Sequence, residues 1–142
     1  MKPIGIVILS SLLLLSCSSE NEIPFTQLNN YFFKNNVEFP SSPMIDSQAD
    51  FEHYFGMATV MGKNGMPTPV DFDKEFVIAV VNPVTDNYTE MAPISLVNKN
   101  GTLVFTYRET VGDKQTYSIQ PILLIKVDRT YKTDQVMLLF ER

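Results

Sequence analysis

The chain has 142 residues with a formal net charge of −5, and 44% of its residues are hydrophobic, which is enough for the core of one domain. An acidic chain without a cluster of Lys and Arg repels phosphate backbones, so nucleic acid is not an expected partner. The single cysteine, Cys17, and the single histidine, His53, leave no internal disulfide and too few ligands for a usual zinc site.

Residues 1–16 have the pattern of a bacterial export signal. Lys2 precedes a dense apolar run that is too short for a membrane-spanning helix of about 20 residues. The tetrapeptide Leu14-Leu15-Ser16-Cys17 resembles the bacterial lipobox. This resemblance implies that Cys17 receives lipid and becomes the first residue of the mature protein. Acyl chains would then hold the domain at a membrane without a spanning helix.

The segment that follows Cys17 is polar and acidic. It predicts a flexible tether over residues 17–24 and a single globular domain over residues 25–142. Acidic residues behind the lipid-bearing cysteine resemble the signal of surface-exposed lipoproteins of the Bacteroidetes type. We therefore expect an outer-membrane lipoprotein of the cell envelope, with display on the cell surface favoured over a periplasmic position.

The first part of the domain contains short elements separated by breaks. The sequence predicts a helical turn over residues 26–30, a strand at residues 31–33 and irregular backbone at residues 40–43. A helix is expected to begin at Ser47, whose hydroxyl suits an N-cap.

Helical spacing places Phe51, Tyr54 and Phe55 on one face of that helix, and His53 falls on the solvated side. Residues 56–70 contain several glycines and prolines and predict an extended loop. Its methionines are expected to fold back on the core, although a Met-rich docking surface is the alternative.

The second part of the chain has β patterns. Residues 76–81 form a continuous apolar run that predicts a strand buried on both faces. Asn100-Gly101 between two β-patterned runs predicts a tight hairpin, and a second hairpin is expected to turn at residues 111–113. Further strands are predicted at residues 122–127 and 136–140. The expected fold class is α+β, mainly antiparallel β: a small barrel or sandwich of five to seven strands with one covering helix.

No sequence motif indicates catalysis. A nucleophile elbow, a phosphate loop and a dinucleotide fingerprint are all missing from the sequence, so we predict neither an enzyme nor a cofactor nor a metal site. The alternative prediction, a ligand-binding or hydrolytic site, rests on Asp71 and Asp73. On an extended backbone their carboxylates would share one side and could bind a metal or a glycan, or serve a small hydrolase. Acidic residues beside a buried strand more often keep its edge soluble.

Three stretches carry a wider resemblance: Ser47-Gln48-Ala49-Asp50-Phe51, residues 70–80 and residues 117–128. In them the chain resembles small Bacteroidetes lipoproteins and, more distantly, the C-terminal domain of PrcB-type protease-complex subunits. The PrcB-type pattern has a glycine-rich turn after the position of Val81, whereas residues 82–88 contain no glycine here. The distant family implies a non-catalytic domain that contacts or stabilises another protein.

We therefore expect a membrane-anchored domain that binds or stabilises another envelope protein, a protease among the candidates, with protease inhibition as a narrower alternative. Binding residues concentrate in connecting loops, and residues 82–92 and 109–114 are the candidate loops. The side chains predicted to contact the partner are Asn82, Asp86, Asn87, Tyr88, Arg108, Glu109 and Lys114.

Overall fold

The structure, a computed structural model, describes residues 21–39 and 41–142, so the predicted export signal and Cys17 lie outside the described residues. Within these ranges no helix has the length and apolar character needed to cross a membrane. The elements are β1 Phe25–Gln27, β2 Tyr31–Phe33, β3 Met44–Ile45, α1 Gln48–Tyr54, β4 Phe55–Met57, β5 Glu75–Val81, β6 Thr85–Lys99, β7 Thr102–Ile119, β8 Ile122–Asp128 and β9 Gln135–Glu141.

The strands form three sheets. A central sheet has the order β1-β8-β5-β3, an outer sheet has the order β6-β7-β9, and a small sheet joins β2 to β4. All described pairs are antiparallel except β7 with β9, which are parallel. The predicted class, a mainly antiparallel α+β sandwich with one helix, is confirmed. The structure has nine strands rather than the predicted five to seven. The predicted number is too low because β1 to β4 have only two or three residues each, which is too short for a periodic signal in the sequence.

Strand β5 separates two hydrophobic cores. Phe76, Ile78 and Val80 pack towards the outer sheet, whereas Val77 and Ala79 pack towards α1 and the small sheet. This division follows from the two-residue period of a strand. All five side chains are buried, which confirms the prediction of a strand covered on both faces.

Helix α1 begins where the sequence predicts it. The Ser47 hydroxyl accepts a hydrogen bond from the backbone N–H of Asp50 at 3.2 Å. Phe51 is buried on the core side, and His53 is exposed, as its position on the helix predicts. The helix covers one face of the central sheet.

The tip of the β6–β7 hairpin is also as predicted. Asn100 and Gly101 both have positive φ, 53° and 89°, which is the conformation that a two-residue type I′ turn requires. The Asn98 side-chain oxygen accepts a hydrogen bond from the Gly101 N–H at 2.9 Å. The tight turn therefore sets the register of the outer sheet.

The predicted second hairpin is wrong. Strand β7 runs without a turn from Thr102 to Ile119, and Val111 pairs with Thr89. Gly112 has a different use: a Cβ at this position would lie 3.1 Å from the Tyr88 ring. The glycine therefore makes room for an aromatic ring on the neighbouring strand, and the length of β6 allows the pairing to continue.

The predicted helical turn over residues 26–30 is wrong as well. Phe25–Gln27 is strand β1, whose partner is the distant strand β8. Phe25 packs edge-on against Phe105 of the outer sheet, with ring centroids 6.1 Å apart. Burial of this ring outweighs the weak local helix propensity of the segment.

The predicted tether, residues 17–24, includes residues that belong to the folded domain. Glu22 forms a bridge with Val97, and the Ile23 N–H donates to the Leu96 carbonyl at 2.8 Å. Ile23 is 5% exposed and belongs to the core beneath the outer sheet. Packing against the domain therefore begins before residue 25.

The predicted loop over residues 56–70, here called the Met-rich loop, does not fold onto the core. Met57, Met61 and Met66 are 67%, 101% and 73% exposed. The start of the predicted loop, residues 56 and 57, forms strand β4 together with Phe55, which was predicted to lie on the helix. Phe33 and Phe55 pair across the small sheet, and both are buried. The remaining residues, 58–70, are irregular as expected.

One arginine ties distant segments together at the edge of the central sheet. Arg129 Nη2 donates to the backbone carbonyls of Asp46 at 2.8 Å, Phe72 at 2.6 Å and Glu75 at 3.3 Å. Lys132 lies close by and contacts the Asp46 carboxylate at 2.7 Å. These contacts join the short turn after β8 to the segments that precede α1 and β5.

The ion pair predicts a pH dependence. The hydrogen bond from Lys132 holds the pKa of Asp46 below its usual value of 3.8. A carboxyl whose pKa is lowered by folding adds stability above its usual pKa, and that stability is lost as the pH falls through the lowered value. We expect the urea midpoint of the parent protein to fall more below pH 3.8 than that of Asp46→Asn. Replacement of an exposed residue, Asp113→Asn, should leave the acid slope unchanged, and equal slopes for all three proteins would contradict this assignment.

Candidate functional site

The candidate site lies in the half of the β6–β7 hairpin that is farthest from its turn. We call residues 85–90 of β6 and 109–119 of β7 the distal hairpin. Its pairing is irregular, since Asn87 lies opposite Lys114 but Thr85 lies opposite Ile119. Four residues of β7, 115–118, therefore face one residue of β6. Such bulges turn side chains away from the regular ladder, and they are common beside functional sites.

The distal hairpin brings together most of the predicted contact residues. The Asn82 side-chain amide donates to the Glu109 carboxylate at 3.0 Å, and Lys114 lies 3.3 Å from the Asp86 carboxylate. These residues were predicted to lie in loops, which is wrong for 85–92 and 109–114: both segments are strands, because each supplies the pairing partner of the other. Only the connection at residues 82–84 is irregular.

Arg108 is the predicted contact residue that does not belong to the distal hairpin. Its guanidinium lies 3.6 Å from the Glu141 carboxylate of β9, and both side chains are more than half exposed. The other six predicted residues lie on the distal hairpin or at its base. They are Asn82, Asp86, Asn87, Tyr88, Glu109 and Lys114.

Apolar side chains are exposed on the distal hairpin and on the connection that precedes it. Val84 is 63% exposed, Tyr88 47%, Val111 56% and Tyr117 58%. Of these, sequence reasoning identified only Tyr88, because valine and tyrosine in a β-pattern usually indicate a core-facing position. A usable signal was present: polar residues surround Val111 and Tyr117 on both sides, without the alternation of a half-buried strand.

A shallow cleft opens at the base of the distal hairpin. Its volume is about 280 Å³, close to the lower end of the range of small-molecule pockets. Val84 and Val111 supply apolar walls, while Asn87, Thr89 and Glu109 supply polar groups. A space of this size has room for one or two side chains of another protein.

The acidic pair Asp71 and Asp73 has a structural role. The expectation of an extended backbone is wrong, because residues 72–74 form a turn. The Asp71 carboxylate accepts from the Asp73 N–H at 3.0 Å, and the Glu75 carboxylate accepts from the Asp71 N–H at 3.1 Å. Both hydrogen bonds stabilise the turn that leads into β5. Across residues 21–39 and 41–142, no three His, Cys, Asp or Glu side chains are grouped in a way that could hold a metal ion.

A smaller cavity of about 210 Å³ lies beside α1, with Tyr31, Phe51, Phe55 and Met57 among its lining residues. The Tyr31 hydroxyl donates to the Thr68 carbonyl at 2.6 Å. Burial raises the pKa of Tyr31, so its hydroxyl stays protonated and remains a donor to the loop. The ring therefore anchors residues of the Met-rich loop.

The distal hairpin combines exposed aromatic and branched side chains, a small cleft and charged neighbours in one place. Comparison with family models, curated proteins and solved structures finds no match for this chain.

Proposed function

We propose that this protein is a lipid-anchored domain of the bacterial cell envelope, with no catalytic activity, that binds another protein through the distal hairpin. The observation that carries the proposal is the exposure of Val84, Tyr88, Val111 and Tyr117 on the irregular distal hairpin and the connection that precedes it. Exposed apolar side chains of this size are costly to leave in water. A partner surface that covers them would recover this free energy.

The polar surroundings support a protein as the partner. Protein interfaces combine aromatic anchors with a polar rim, and the Asp86–Lys114 ion pair and the Asn82–Glu109 hydrogen bond supply such a rim. Tyrosine is enriched among residues that dominate binding energy. A protease complex is the partner class that the distant resemblance to PrcB-type subunits would supply.

The decisive change is Val111→Asp, which places a charge at the wall of the cleft. We expect loss of the specific cross-linked product when intact cells carry a photo-reactive residue at position 117. A buried charge without a partner should cost about 2 kcal/mol or more of binding free energy, or at least a roughly 30-fold loss of affinity. Identification of the captured protein by mass spectrometry completes the measurement.

A matched control exists in the same chain. Val60 is 58% exposed, close to the 56% of Val111, but it lies in the Met-rich loop. Val60→Asp should therefore leave the cross-linked product unchanged, and thermal melts should show both variants folded. If the two valine variants reduce the product equally, or neither does, the distal hairpin is not the binding surface.

A further inference from the structure

Strand β9 is an unprotected edge. It pairs with β7 on one side through seven residue pairs in unbroken register. On its other side no strand within the described residues pairs with it. Five apolar residues follow one another at positions 136–140, and Met137, Leu139 and Phe140 are 55%, 49% and 43% exposed.

Natural edge strands usually carry features that prevent pairing with another chain, such as a lysine, a proline or a bulge. Gln135–Glu141 contains no lysine or proline, and its pairing has no bulge. An edge with these properties would attract other strands without selectivity unless one specific partner covers it. The charges at the two ends of β9 identify that partner.

We propose that β9 pairs antiparallel with β9 of a second copy of this chain. When Leu138 lies opposite Leu138 of the second copy, Asp134 lies opposite Arg142 of that copy, and the two-fold axis repeats the contact. Both side chains are exposed, and neither forms an ion pair with another described residue. Two pairs of opposite charges therefore frame an apolar centre.

Other registers lack this complementarity. The smallest shifts that keep the side chains on their faces move the centre to Met137 or to Leu139. The first places Asp134 opposite Phe140, and the second places Glu141 opposite Met137. Each sets a charge against an apolar side chain. The arrangement centred on Leu138 instead sets Met137 opposite Leu139 and Val136 opposite Phe140, which are favourable cross-strand pairs.

The open side of the sandwich can receive the added side chains. A groove of about 370 Å³ lies between β9 and the segment before β3, lined by Phe39, Pro43, Tyr107, Val136 and Leu138 among others. In the proposed register the Phe140 ring of the second copy lies beside Val136 at the wall of this groove. The ring would fill part of a space that is open in one copy.

Self-association of this kind leaves the distal hairpin free. Strand β9 pairs with Thr102–Arg108 of β7, whereas the distal hairpin uses residues 109–119. The joined sheets would form one six-stranded sheet with a two-fold axis at Leu138. The dimer and the proposed partner-binding surface can therefore be tested separately.

The test uses the full-length chain in cells with single cysteines on β9. Directly opposite residues of an antiparallel pair have Cα atoms about 4.5–5.5 Å apart, which suits a disulfide. Leu138→Cys should give a disulfide-linked dimer under mild oxidation. Val136→Cys, on the same face, should not, because the two copies of residue 136 would be about 13 Å apart. The parent chain reports any background from Cys17.

Charge reversal supplies a second readout on the Leu138→Cys chain. Asp134→Arg alone and Arg142→Asp alone each set like charges opposite one another, and the dimer yield should fall. The double variant restores opposite charges and should restore the yield. Equal yields for Leu138→Cys and Val136→Cys, or no recovery in the double variant, would overturn the proposed pairing. Melting curves of all variants exclude loss of folding as the cause.

Discussion

Replacement of Cys17 by serine should move the protein from the membrane fraction to the soluble fraction. The thiol is the group that receives lipid in the lipobox interpretation, and serine cannot form the thioether. Burial of acyl chains contributes about 0.8 kcal/mol per CH₂ group, so several chains hold a protein at a bilayer essentially completely. Cell fractionation and labelling with a radioactive fatty acid measure both consequences, and we expect the label to disappear.

The neighbouring serine gives a matched control. Ser19→Ala changes a hydroxyl close to the cysteine without touching the thiol, so the protein should remain in the membrane fraction and keep its label. Intact-mass analysis of the parent protein should show a cleaved, acylated chain that begins at Cys17. A free thiol at residue 17, or a retained leader, would refute the lipid anchor.

Arg129→Ala should cause a large loss of stability. One nitrogen of this guanidinium serves the carbonyls of Asp46, Phe72 and Glu75, and the contacts to Phe72 and Glu75 are partly buried. Hydrogen bonds to a charged donor contribute about 1.5–3 kcal/mol each, and truncation leaves the carbonyls without a donor. We expect the free energy of unfolding in urea to fall by about 3 kcal/mol.

Arg108→Ala is the control for that loss. Its guanidinium contacts the exposed carboxylate of Glu141. Exposed ion pairs contribute less than about 1 kcal/mol, so this variant should unfold near the parent midpoint. Arg129→Lys should be intermediate, because the lysine ammonium keeps the positive charge but lies on a shorter side chain and is more strongly hydrated than a guanidinium. If the two alanine variants lose equal stability, Arg129 does not hold the three segments together.

Elements specified by neighbouring residues could be predicted from the sequence. Ser47 caps α1 through a hydrogen bond to a residue three positions away, and Asn100-Gly101 adopts the turn that its own conformational preferences favour. The apolar run of β5 is long enough to indicate burial on both faces. In each case the physical cause lies within a few residues of the effect.

Elements that depend on distant partners could not be predicted in this way. Strand β1 exists because Phe25–Gln27 pairs with Ile125 to Val127, about a hundred positions along the chain. Gly112 suggested a turn, but its small size serves Tyr88 on the neighbouring strand. No pattern within a short window contains that information, since the partner decides the conformation.

Only part of the candidate site could be predicted from the sequence. Polar residues such as Asp86 and Lys114 stood out because turn-like segments carry them, and the structure brings these two together. Val84, Val111 and Tyr117 did not stand out, since their exposure depends on the bulges and on the length of β7 beyond the core. The sequence around these three residues is typical of a strand, and their exposure can be recognised only from the fold.

The strand order β1-β8-β5-β3 affects how the chain must fold during synthesis. Both β1 and the buried strand β5 find a long pairing partner only in Ile122–Asp128, near the end of the chain. The β6–β7 hairpin can form early, since its strands are adjacent in sequence, but the central sheet must wait for β8 to emerge. Until then β5 lacks the strand that pairs with it along all seven of its residues, so a chaperone that holds the emerging polypeptide would act in this interval.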